Sequence, residues 1–385
     1  MNRLIDGSLS DQRTTPHHEE LNMFRRAVAD FLDDRVTPER LNAWRDAGVV
    51  DRDFWRQAGA IGILSPSVPE EYGGAGADFR FDLVVIEEIG RRGIEGFGVQ
   101  VHGGIVAPYI MHLGSDAQKR RWLSGIVSGD IVLAIAMTES GAGSDLRSIR
   151  TQAVRDGADY VINGQKTFIS NGQTADLVVV ACKTKGDAIS LIAVEGYREG
   201  FGRGRNLAKM GREAQDTSEL FFDDVRVPAD NLLGLEGNGF DQMTTFLPQE
   251  RVIIAAMSQA MMERAIRLAL AYTRERKAFG KPLFEFQNTR FVLAEAKTQA
   301  TASRALLDTM VDRLLAGTLS PADAAIAKLF ASETAGKVID SCLQLFGGYG
   351  YMDEYPISRL YRDVRIDRIH GGTSEIMKTI IARSL

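Results

Sequence analysis

Apolar residues recur at helical spacing through the first third of this chain. Leu21, Phe24 and Val28 are separated by three or four residues, so they fall on one face of a helix. A second helix-like run extends from 81 to 92, after a glycine-rich break. Residues 1–130 are therefore predicted to form an α-helical domain.

The pattern changes between residues 131 and 235, where short runs of apolar and β-branched residues indicate strands. Asn163-Gly164 predicts a tight hairpin turn, because both residues tolerate a positive φ. Helical patterns do not alternate with the strands, so we expect an antiparallel β-barrel or sandwich rather than a βαβ fold. The predicted strands span 131–136, 160–162, 177–181, 189–194 and 219–227.

The helical period returns after the glycines at 237 and 239 and persists to the end of the chain. Amphipathic stretches at about 251–276, 285–316 and 321–345 predict long helices. Residues 236–385 should thus form a second α-helical domain. Helices, then strands, then helices define an α+β fold of three consecutive domains.

Composition narrows the classes of protein to consider. The chain has 385 residues, 44% of them hydrophobic, and its formal net charge of -5 comes from scattered residues rather than from a basic block that would bind nucleic acid. Cys182 and Cys342 are too few for a disulfide framework and lack metal-ligand spacing. Residues 1–20 lack the apolar core of a secretory signal, and no apolar run approaches the roughly 20 residues that cross a bilayer. A soluble, cytoplasmic protein without a metal site is expected.

Five segments could carry chemistry. MTESGAGSD (137–145) leaves a predicted strand and enters a turn rich in glycine and serine, which exposes backbone N–H groups and hydroxyls to a ligand. By itself it is equally well a polar loop. The other four are FIS (168–170), YTRERKAFGKPLFEFQ (272–287), QLFGGYGYMDEYP (344–356) and GGTSEI (371–376). Strand aromatics usually pack in cores, cations suit the last turn of a helix, and glycines commonly end helices, so each is weak evidence alone.

Together and in this order, the five segments resemble those of the acyl-CoA dehydrogenases, which carry a near-identical TEPGAGSD in the first position. Ser140 stands where that motif has proline. This difference loosens the turn but leaves the contacting residues in place. The resemblance covers nearly the whole chain and implies the acyl-CoA dehydrogenase fold, whose C-terminal domain is a four-helix bundle. It also implies an FAD-dependent oxidoreductase that converts an acyl-CoA thioester to the trans-2-enoyl-CoA by α-proton abstraction and β-hydride transfer to the flavin N5.

The resemblance further implies which residues contact the cofactor. In the family the segment matching 137–145 touches the flavin ring and the thioester chain, and the arginine matching Arg276 pairs with the FAD pyrophosphate of a neighbouring subunit. A homotetramer, or at least a dimer, is implied, with an electron-transferring flavoprotein as electron acceptor. The implied FAD-binding residues are Met137, Thr138, Gly143, Ser144, Phe168, Ser170, Arg276, Phe279, Gln287, Gln344, Gly347, Gly348, Thr373 and Glu375.

The catalytic base is the distinctive part of the resemblance. Most members of the family carry a carboxylate where Gly371 stands, whereas the isovaleryl-CoA and long-chain branches place it on a helix, where LPQER supplies Glu250. Glu250 is therefore predicted to remove the α proton. The alternatives are that Glu250 is an ordinary surface ion-pair residue, or that His370, ionisable near neutrality, is the base. Ser144, Arg251 and Gly371 are the implied substrate contacts.

The substrate is inferred from GFGVQVHGG (96–104), which resembles the helix at the bottom of the acyl pocket in medium-chain relatives. If Gly98, Gly103 and Gly104 leave space there, medium to long or methyl-branched acyl chains of fatty acid β-oxidation and lipid metabolism would fit. The other interpretation of these glycines is close helix packing.

An acyl-CoA oxidase, a nitroalkane-oxidase-like flavoenzyme or monooxygenase, and a non-catalytic flavin scaffold that binds nucleic acid share the fold. The presence of Glu250 and the lack of a long or basic extension after GGTSEI favour the dehydrogenase.

Overall fold

The computed structural model describes residues 18–94 and 96–385, so the start of the predicted domain 1–130 lies outside the described residues. Between the helices at 79–92 and 107–113, residues 100–106 form a π-helix. The helices of the first part are α1 (His18–Arg35), α2 (Pro38–Ala47), α3 (Arg52–Ala60), α4 (Phe79–Arg92), α5 (Ala107–Leu113) and α6 (Asp116–Ser128).

An aromatic core holds these helices together. Val28 and Leu32 on α1 are fully buried, as the apolar spacing of that segment predicted. They belong to the same core as Phe54, Trp55 and Phe97, whose rings pack edge to face. The predicted helical start of the chain is therefore confirmed for the described residues.

The middle of the chain forms one eight-stranded sheet. Its strands are β1 (Leu133–Ala136), β2 (Gln152–Asp156), β3 (Asp159–Ser170), β4 (Leu177–Lys185), β5 (Ala188–Glu195), β6 (Phe201–Asn206), β7 (Thr217–Pro228) and β8 (Leu232–Leu233). They follow the order β6-β7-β3-β2-β4-β5-β8, with β1 beside β4. Neighbouring strands are antiparallel except where β4 meets β1 and β2, so the antiparallel prediction holds for most of the sheet.

The sheet is apolar on both faces. On β4, Leu177 and Val179 pack toward the core that includes α5 and α6, whereas Val178 and Val180 pack into a second core within the sheet domain. This alternation follows from the two-residue period of a strand. One face of the sheet is therefore covered by the helices that carry part of the site described below.

The predicted hairpin at Asn163-Gly164 is wrong. β3 continues through both residues, and the tight turn lies earlier, at Gly157, between β2 and β3. At Asn163, two residues of β7 face one residue of β3, and the Asn163 side chain makes two hydrogen bonds with Asp224. The asparagine therefore supports a β-bulge, which uses the same residue types as a turn.

The last part of the chain is helical. The first and longest helix of this part is α7 (Gly239–Glu275), which begins twelve residues before the predicted start at 251 and continues through Pro248. A short hairpin of β9 (Lys277–Ala278) and β10 (Lys281–Pro282) follows it. No helix of the described ranges is long and apolar enough to span a bilayer. The helices are α7 (Gly239–Glu275), α8 (Gln287–Leu315), α9 (Pro321–Gln344), α10 (Pro356–Asp363) and α11 (Ser374–Ala382).

Buried ion pairs fix α7 against its neighbours. Arg304 on α8 lies 2.6 Å from Glu87 on α4 and 3.2 Å from Glu263 on α7, and Arg91 on α4 lies 3.1 Å from Glu263. Burial alone would raise the pKa of Glu87, but the Arg304 charge holds that pKa well below its usual range. Because loss of one partner would leave a buried charge uncompensated, this network sets how α7 lies relative to α4 and α8.

Glycines at the π-helix make close contacts instead of leaving space. A Cβ atom on Gly103 would lie 1.8 Å from the carbonyl oxygen of Leu64, and one on Gly98 would overlap an asparagine side chain at 1.9 Å. A Cβ atom on Gly104 would lie 2.8 Å from Cδ1 of Ile253 on α7. The expectation that these glycines leave room for an acyl chain is therefore wrong, and close packing accounts for all three.

Gly103→Ala should destabilise the protein, because the new methyl group would overlap the Leu64 carbonyl oxygen. Overpacking of this kind costs about 1–3 kcal/mol. The midpoint of denaturant unfolding should fall for Gly103→Ala but not for Gly202→Ala, whose methyl group would lie 3.6 Å from Phe221 Cβ, in ordinary contact. Equal midpoints for Gly103→Ala and the wild type would show that this glycine borders open space.

Candidate active site

Glu250 lies in the interior of the protein. It is 8% exposed, and its Oε1 accepts a hydrogen bond of 3.0 Å from the hydroxyl of Tyr109, a fully buried residue of α5. Its Oε2 accepts no hydrogen bond from any residue in the described part of the chain. The alternative that Glu250 is a surface ion-pair residue is therefore wrong.

One face of α7 is turned toward the N-terminal helices at this point. Phe246, Gln249 and Glu250 follow the i, i+3, i+4 spacing of a single helix face. The Phe246 ring centroid lies 4.5 Å from that of Tyr109, and Gln249 Nε2 donates a 3.0 Å hydrogen bond to a carbonyl of the π-helix at 100–106. These contacts hold Glu250 against α5 and away from solvent.

Burial controls the ionisation of Glu250. It raises the pKa of the carboxyl to about 7, while the Tyr109 hydrogen bond and the Arg251 charge oppose the rise. Burial also raises the pKa of Tyr109 well above its usual value, so the phenol remains protonated and is the donor. A carboxylate with a pKa near neutrality accepts protons better than a free glutamate and is still partly ionised at pH about 7. Glu250 can therefore act as a general base.

Gly371 lies against α7 one helical turn from Glu250. A Cβ atom on Gly371 would be 2.3 Å from Cδ1 of Ile254, four positions after Glu250. Gly371 has a φ of +64°, in the left-handed region that favours glycine. Its neighbour Gly372 is held through its carbonyl oxygen, which accepts a 2.8 Å hydrogen bond from the buried Nζ of Lys328. The tail glycine and the helix carboxylate are therefore neighbours in the fold.

His370, the alternative base, belongs to a separate polar cluster. Its Nε2 lies 3.0 Å from Oδ1 of Asp367, and that buried carboxylate also binds Arg212 and the hydroxyl of Ser258. The cluster orders the chain just before Gly371. His370 thus has a partner with a structural role, whereas Glu250 keeps an oxygen that no described residue engages.

A buried ion pair anchors the predicted flavin loop at 137–145. Glu139 Oε1 lies 2.8 Å from Nζ of Lys166, which is 1% exposed on β3. Lys166 Nζ also donates a 3.0 Å hydrogen bond to the carbonyl of Met137, and the Glu139 carboxylate accepts two backbone N–H groups of the segment after the loop. The loop is therefore fixed to the sheet at its base, and its glycine-rich middle is exposed.

The surface beside this loop fits a flat aromatic cofactor. Phe168 stands at a bulge of β3 with a φ of +59° and is 67% exposed, although an apolar ring usually packs inside. The N–H of Thr167 donates to the carbonyl of Thr138 at 2.9 Å, which places the ring beside the loop. The N–H groups of Gly143 and Ser144 donate to no described residue, so they are available to a ligand. An exposed ring next to free donors fits the predicted flavin.

A second group of predicted FAD residues lies in the segments near the far end of α7. Arg276 follows the helix, and its guanidinium lies 5.4 Å from the ring centroid of Tyr349. Phe279, in the short hairpin, is 96% exposed with a φ of +52°. Stacking of Tyr272 on Phe346, with centroids 4.2 Å apart, brings the two segments together. Also exposed in these segments are Gln287, Gln344, Gly347 and Gly348.

The other predicted site residues differ in their settings. Ser170 ends β3 and is half-buried, Thr373 caps α11 through its hydroxyl, and Glu375 is exposed in the first turn of that helix. Arg251 is 5% exposed, and its Nε has no hydrogen-bond partner in the described part of the chain. Ser144 is exposed in its loop. The ligand contacts of these five residues, like those of the other predicted site residues, stay predictions.

Two residues that shape the site were missed in the sequence. Lys166 sits at an inward-facing position of β3, and a charged residue at such a position could have indicated a buried ion pair. Tyr109 lies in the apolar run IVAPYIMHL, where nothing marks a hydroxyl that reaches a glutamate 141 positions later. Only the tertiary structure shows that contact.

Comparisons with known proteins agree with this geometry. The family models described as the N-terminal, middle and C-terminal domains of acyl-CoA dehydrogenase match residues 18–130, 134–225 and 237–385. The chain is 42% identical over 372 residues to the mitochondrial long-chain specific acyl-CoA dehydrogenase of Sus scrofa, covering 95% of this chain and 86% of that protein. It is 32% identical over 378 residues to the mitochondrial isovaleryl-CoA dehydrogenase of Pongo abelii, with 95% and 88% covered.

Solved structures show the same relationship. The crystal structure of an acyl-CoA dehydrogenase from Geobacillus kaustophilus matches with a TM-score of 0.93 at 46% identity, covering 97% of this chain and 99% of that one. A glutaryl-CoA dehydrogenase from Mycobacterium smegmatis in complex with FADH2 matches with a TM-score of 0.89 at 28% identity, covering 95% and 94%.

Fold and site together define a flavin-dependent oxidoreductase. The chain belongs to the acyl-CoA dehydrogenase family. The family, the three-domain fold and the class of FAD-dependent acyl-CoA dehydrogenase predicted from the sequence are thereby confirmed.

Lys166→Met should loosen the flavin loop, because Glu139 would stay buried without its partner charge. Breaking such a pair costs about 3–5 kcal/mol. Lys183→Met is the matched control on the next strand, since the carboxylate that Lys183 pairs with is 95% exposed and such a pair contributes about 1 kcal/mol or less. After gel filtration, Lys166→Met should retain less flavin than the wild type, and Lys183→Met should retain the same amount. Unchanged flavin content and stability in Lys166→Met would contradict the anchoring role.

Proposed function

We propose that Glu250 is the base with which this acyl-CoA dehydrogenase removes the α proton of its substrate. The observation that carries this assignment is a buried carboxylate one helical turn from Gly371. Gly371 supplies no acid from the tail, and Glu250 supplies one from α7. The relatives named long-chain and isovaleryl-CoA dehydrogenase favour this branch of the family.

Proton removal develops negative charge on the thioester carbonyl oxygen, and a fixed N–H donor would stabilise it. The N–H of Gly371 is suited to this task, because it donates to no acceptor in the described part of the chain. The buried ring of Tyr109 and the partly buried ring of Phe246 would exclude water from Glu250 and so keep its carboxylate a strong proton acceptor. Bound FAD would supply the acceptor for the β-hydride, with Phe168 and the loop at 137–145 beside its ring.

The separation of the two groups of predicted FAD residues supports a homo-oligomer. Arg276 lies 26 residues after Glu250 along α7, which corresponds to about 39 Å of helix. An extended FAD molecule is shorter than that, so one cofactor beside Glu250 would not reach Arg276 of the same chain. We therefore infer that Arg276, Phe279 and Gln344 serve the cofactor of a neighbouring subunit, in a dimer or a tetramer.

The substrate and the partners remain part of the proposal. The glycines at the π-helix are closely packed and do not indicate a deep pocket. The proposal of medium to long or branched acyl chains is therefore supported only by the relatives named long-chain and isovaleryl-CoA dehydrogenase. An electron-transferring flavoprotein is the proposed electron acceptor and the cytoplasm the proposed location. An acyl-CoA oxidase would use the same base but would pass its electrons to oxygen.

Glu250→Gln should strongly slow reduction of the flavin by acyl-CoA, because an amide cannot accept the α proton. Loss of a general base lowers the rate by about 10²–10⁴-fold. The measurement is bleaching of the flavin absorption band on anaerobic mixing with a panel of acyl-CoAs of graded length and branching. Asp241→Asn, which changes an exposed carboxylate of the same helix, should bleach at the wild-type rate. Bleaching of Glu250→Gln at the wild-type rate would remove Glu250 from the mechanism.

A measurement of stability against pH would separate misfolding from loss of the base. Burial raises the pKa of Glu250 from 4.5 to about 7 in the folded protein, so the folded state binds this proton more tightly than the unfolded chain does. The contribution of this carboxyl to stability is therefore lost as the pH rises through that window. Glu250→Gln removes the buried charge and should be more stable than the wild type at pH about 8, by up to about 3 kcal/mol.

The rate of flavin reduction should rise with pH through about 7, since Glu250 accepts the proton only when it is ionised. Below this midpoint the rate should fall about tenfold for each pH unit. Stopped-flow reduction at saturating acyl-CoA, measured from pH about 5 to about 9, tests this dependence. A rate that does not change over this range would contradict a base with the burial of Glu250.

A further inference from the structure

The hydroxyl of Tyr109 is placed by contacts on both sides of the interface between α5 and α7. Pro108 lies in the first turn of α5, and the preceding π-helix at 100–106 changes the direction in which the following residues face. Tyr109 is fully buried, and its ring packs on Phe246. Glu250 is the hydrogen-bond partner of its hydroxyl, at 3.0 Å.

The two oxygens of Glu250 are not equivalent in this arrangement. Oε1 accepts the Tyr109 hydrogen bond, while Oε2 has no donor among the described residues. Phe246 and Glu250 stand one turn apart on α7, so the tyrosine ring and its hydroxyl are held by the same helix face. Rotation of the carboxylate about its last torsion would break the bond to Tyr109.

We propose that Tyr109 is a positioning residue that holds Glu250 by Oε1 and thereby leaves Oε2 to meet the α proton. This inference rests on the proposed role of Glu250 as base. Tyr109 donates a hydrogen bond and does not itself exchange a proton with the substrate. Its substitution should therefore change the behaviour of Glu250 rather than the binding of acyl-CoA.

The same hydrogen bond limits how far burial raises the pKa of Glu250. A donor to the ionised carboxylate favours the charged form and so opposes the effect of burial. The other charged group that acts on Glu250 is Arg251 on α7, and His112 on α5 faces Phe246 with ring centroids 5.8 Å apart. Without the Tyr109 donor, Glu250 would hold its proton more tightly near neutral pH.

Tyr109→Phe keeps the buried ring and removes only the hydroxyl. In the holoenzyme, a pH titration of the protonated-carboxyl infrared band, assigned by its loss in Glu250→Gln, should show the Glu250 pKa raised by about one to two pH units. The midpoint of flavin reduction should move upward equally, with the rate recovered at high pH and little change in KM. Tyr160→Phe, a buried tyrosine of the sheet core, should move neither midpoint. An unshifted Glu250 pKa in Tyr109→Phe would overturn the proposal.

A second substitution tests the same contact in the opposite direction. Site-specific fluorotyrosine at 109 is a stronger hydrogen-bond donor and should lower the Glu250 pKa. A fluorotyrosine enzyme with an unchanged or raised pKa would also count against the proposal. If Glu250→Gln retained activity, the role of Glu250 as base would fail, whereas the infrared titration would still decide whether Tyr109 holds its carboxylate.

Discussion

The proposed chemistry depends on one carboxylate, that of Glu250, which is shielded from water and can still ionise. Burial raises the pKa of Glu250 and so makes it a stronger base, while the hydrogen bond from Tyr109 and the charge of Arg251 limit that rise. A glutamate on a solvated face would have the pKa of a free side chain and would be a weak base for a carbon acid. An uncompensated carboxyl in the same place would keep its proton at neutral pH. With the Tyr109 hydrogen bond, the pKa of Glu250 lies between these two limits.

The N-terminal and C-terminal helical parts of the fold meet at this carboxylate. α5 brings Tyr109, α7 brings Glu250 itself, and the tail brings Gly371 to the next turn of α7. Met137, at the start of the flavin loop, packs on the same apolar core as Tyr109. Because α7 also carries ion pairs to α4 and α8, its position relative to the other helices is fixed well beyond the site. The length of this helix separates the two groups of predicted cofactor residues.

Local sequence patterns predicted the elements well and their contacts poorly. The helical period placed α8 and α9 to within two residues at each end, because the apolar spacing of a long amphipathic helix is a strong signal. The hairpin turn predicted at Asn163-Gly164 was wrong, because bulges and turns favour the same residue types. Gly103 was misjudged because only tertiary structure shows that the Leu64 carbonyl oxygen fills the space. Glu250 was identified from family resemblance, whereas its partner Tyr109, far away in the sequence, could not be.

Exchange of the α-hydrogen with solvent tests the central claim most directly, because this step needs the base but no transfer of electrons. The measurement uses deuterated water and an acyl-CoA that has α-hydrogens but a quaternary β-carbon, so that dehydrogenation cannot follow. The wild-type holoenzyme should incorporate deuterium at the α-carbon, and Glu250→Gln should not do so above the rate without enzyme. Equal incorporation by the wild type and Glu250→Gln would contradict the account, since another group would then be removing the proton.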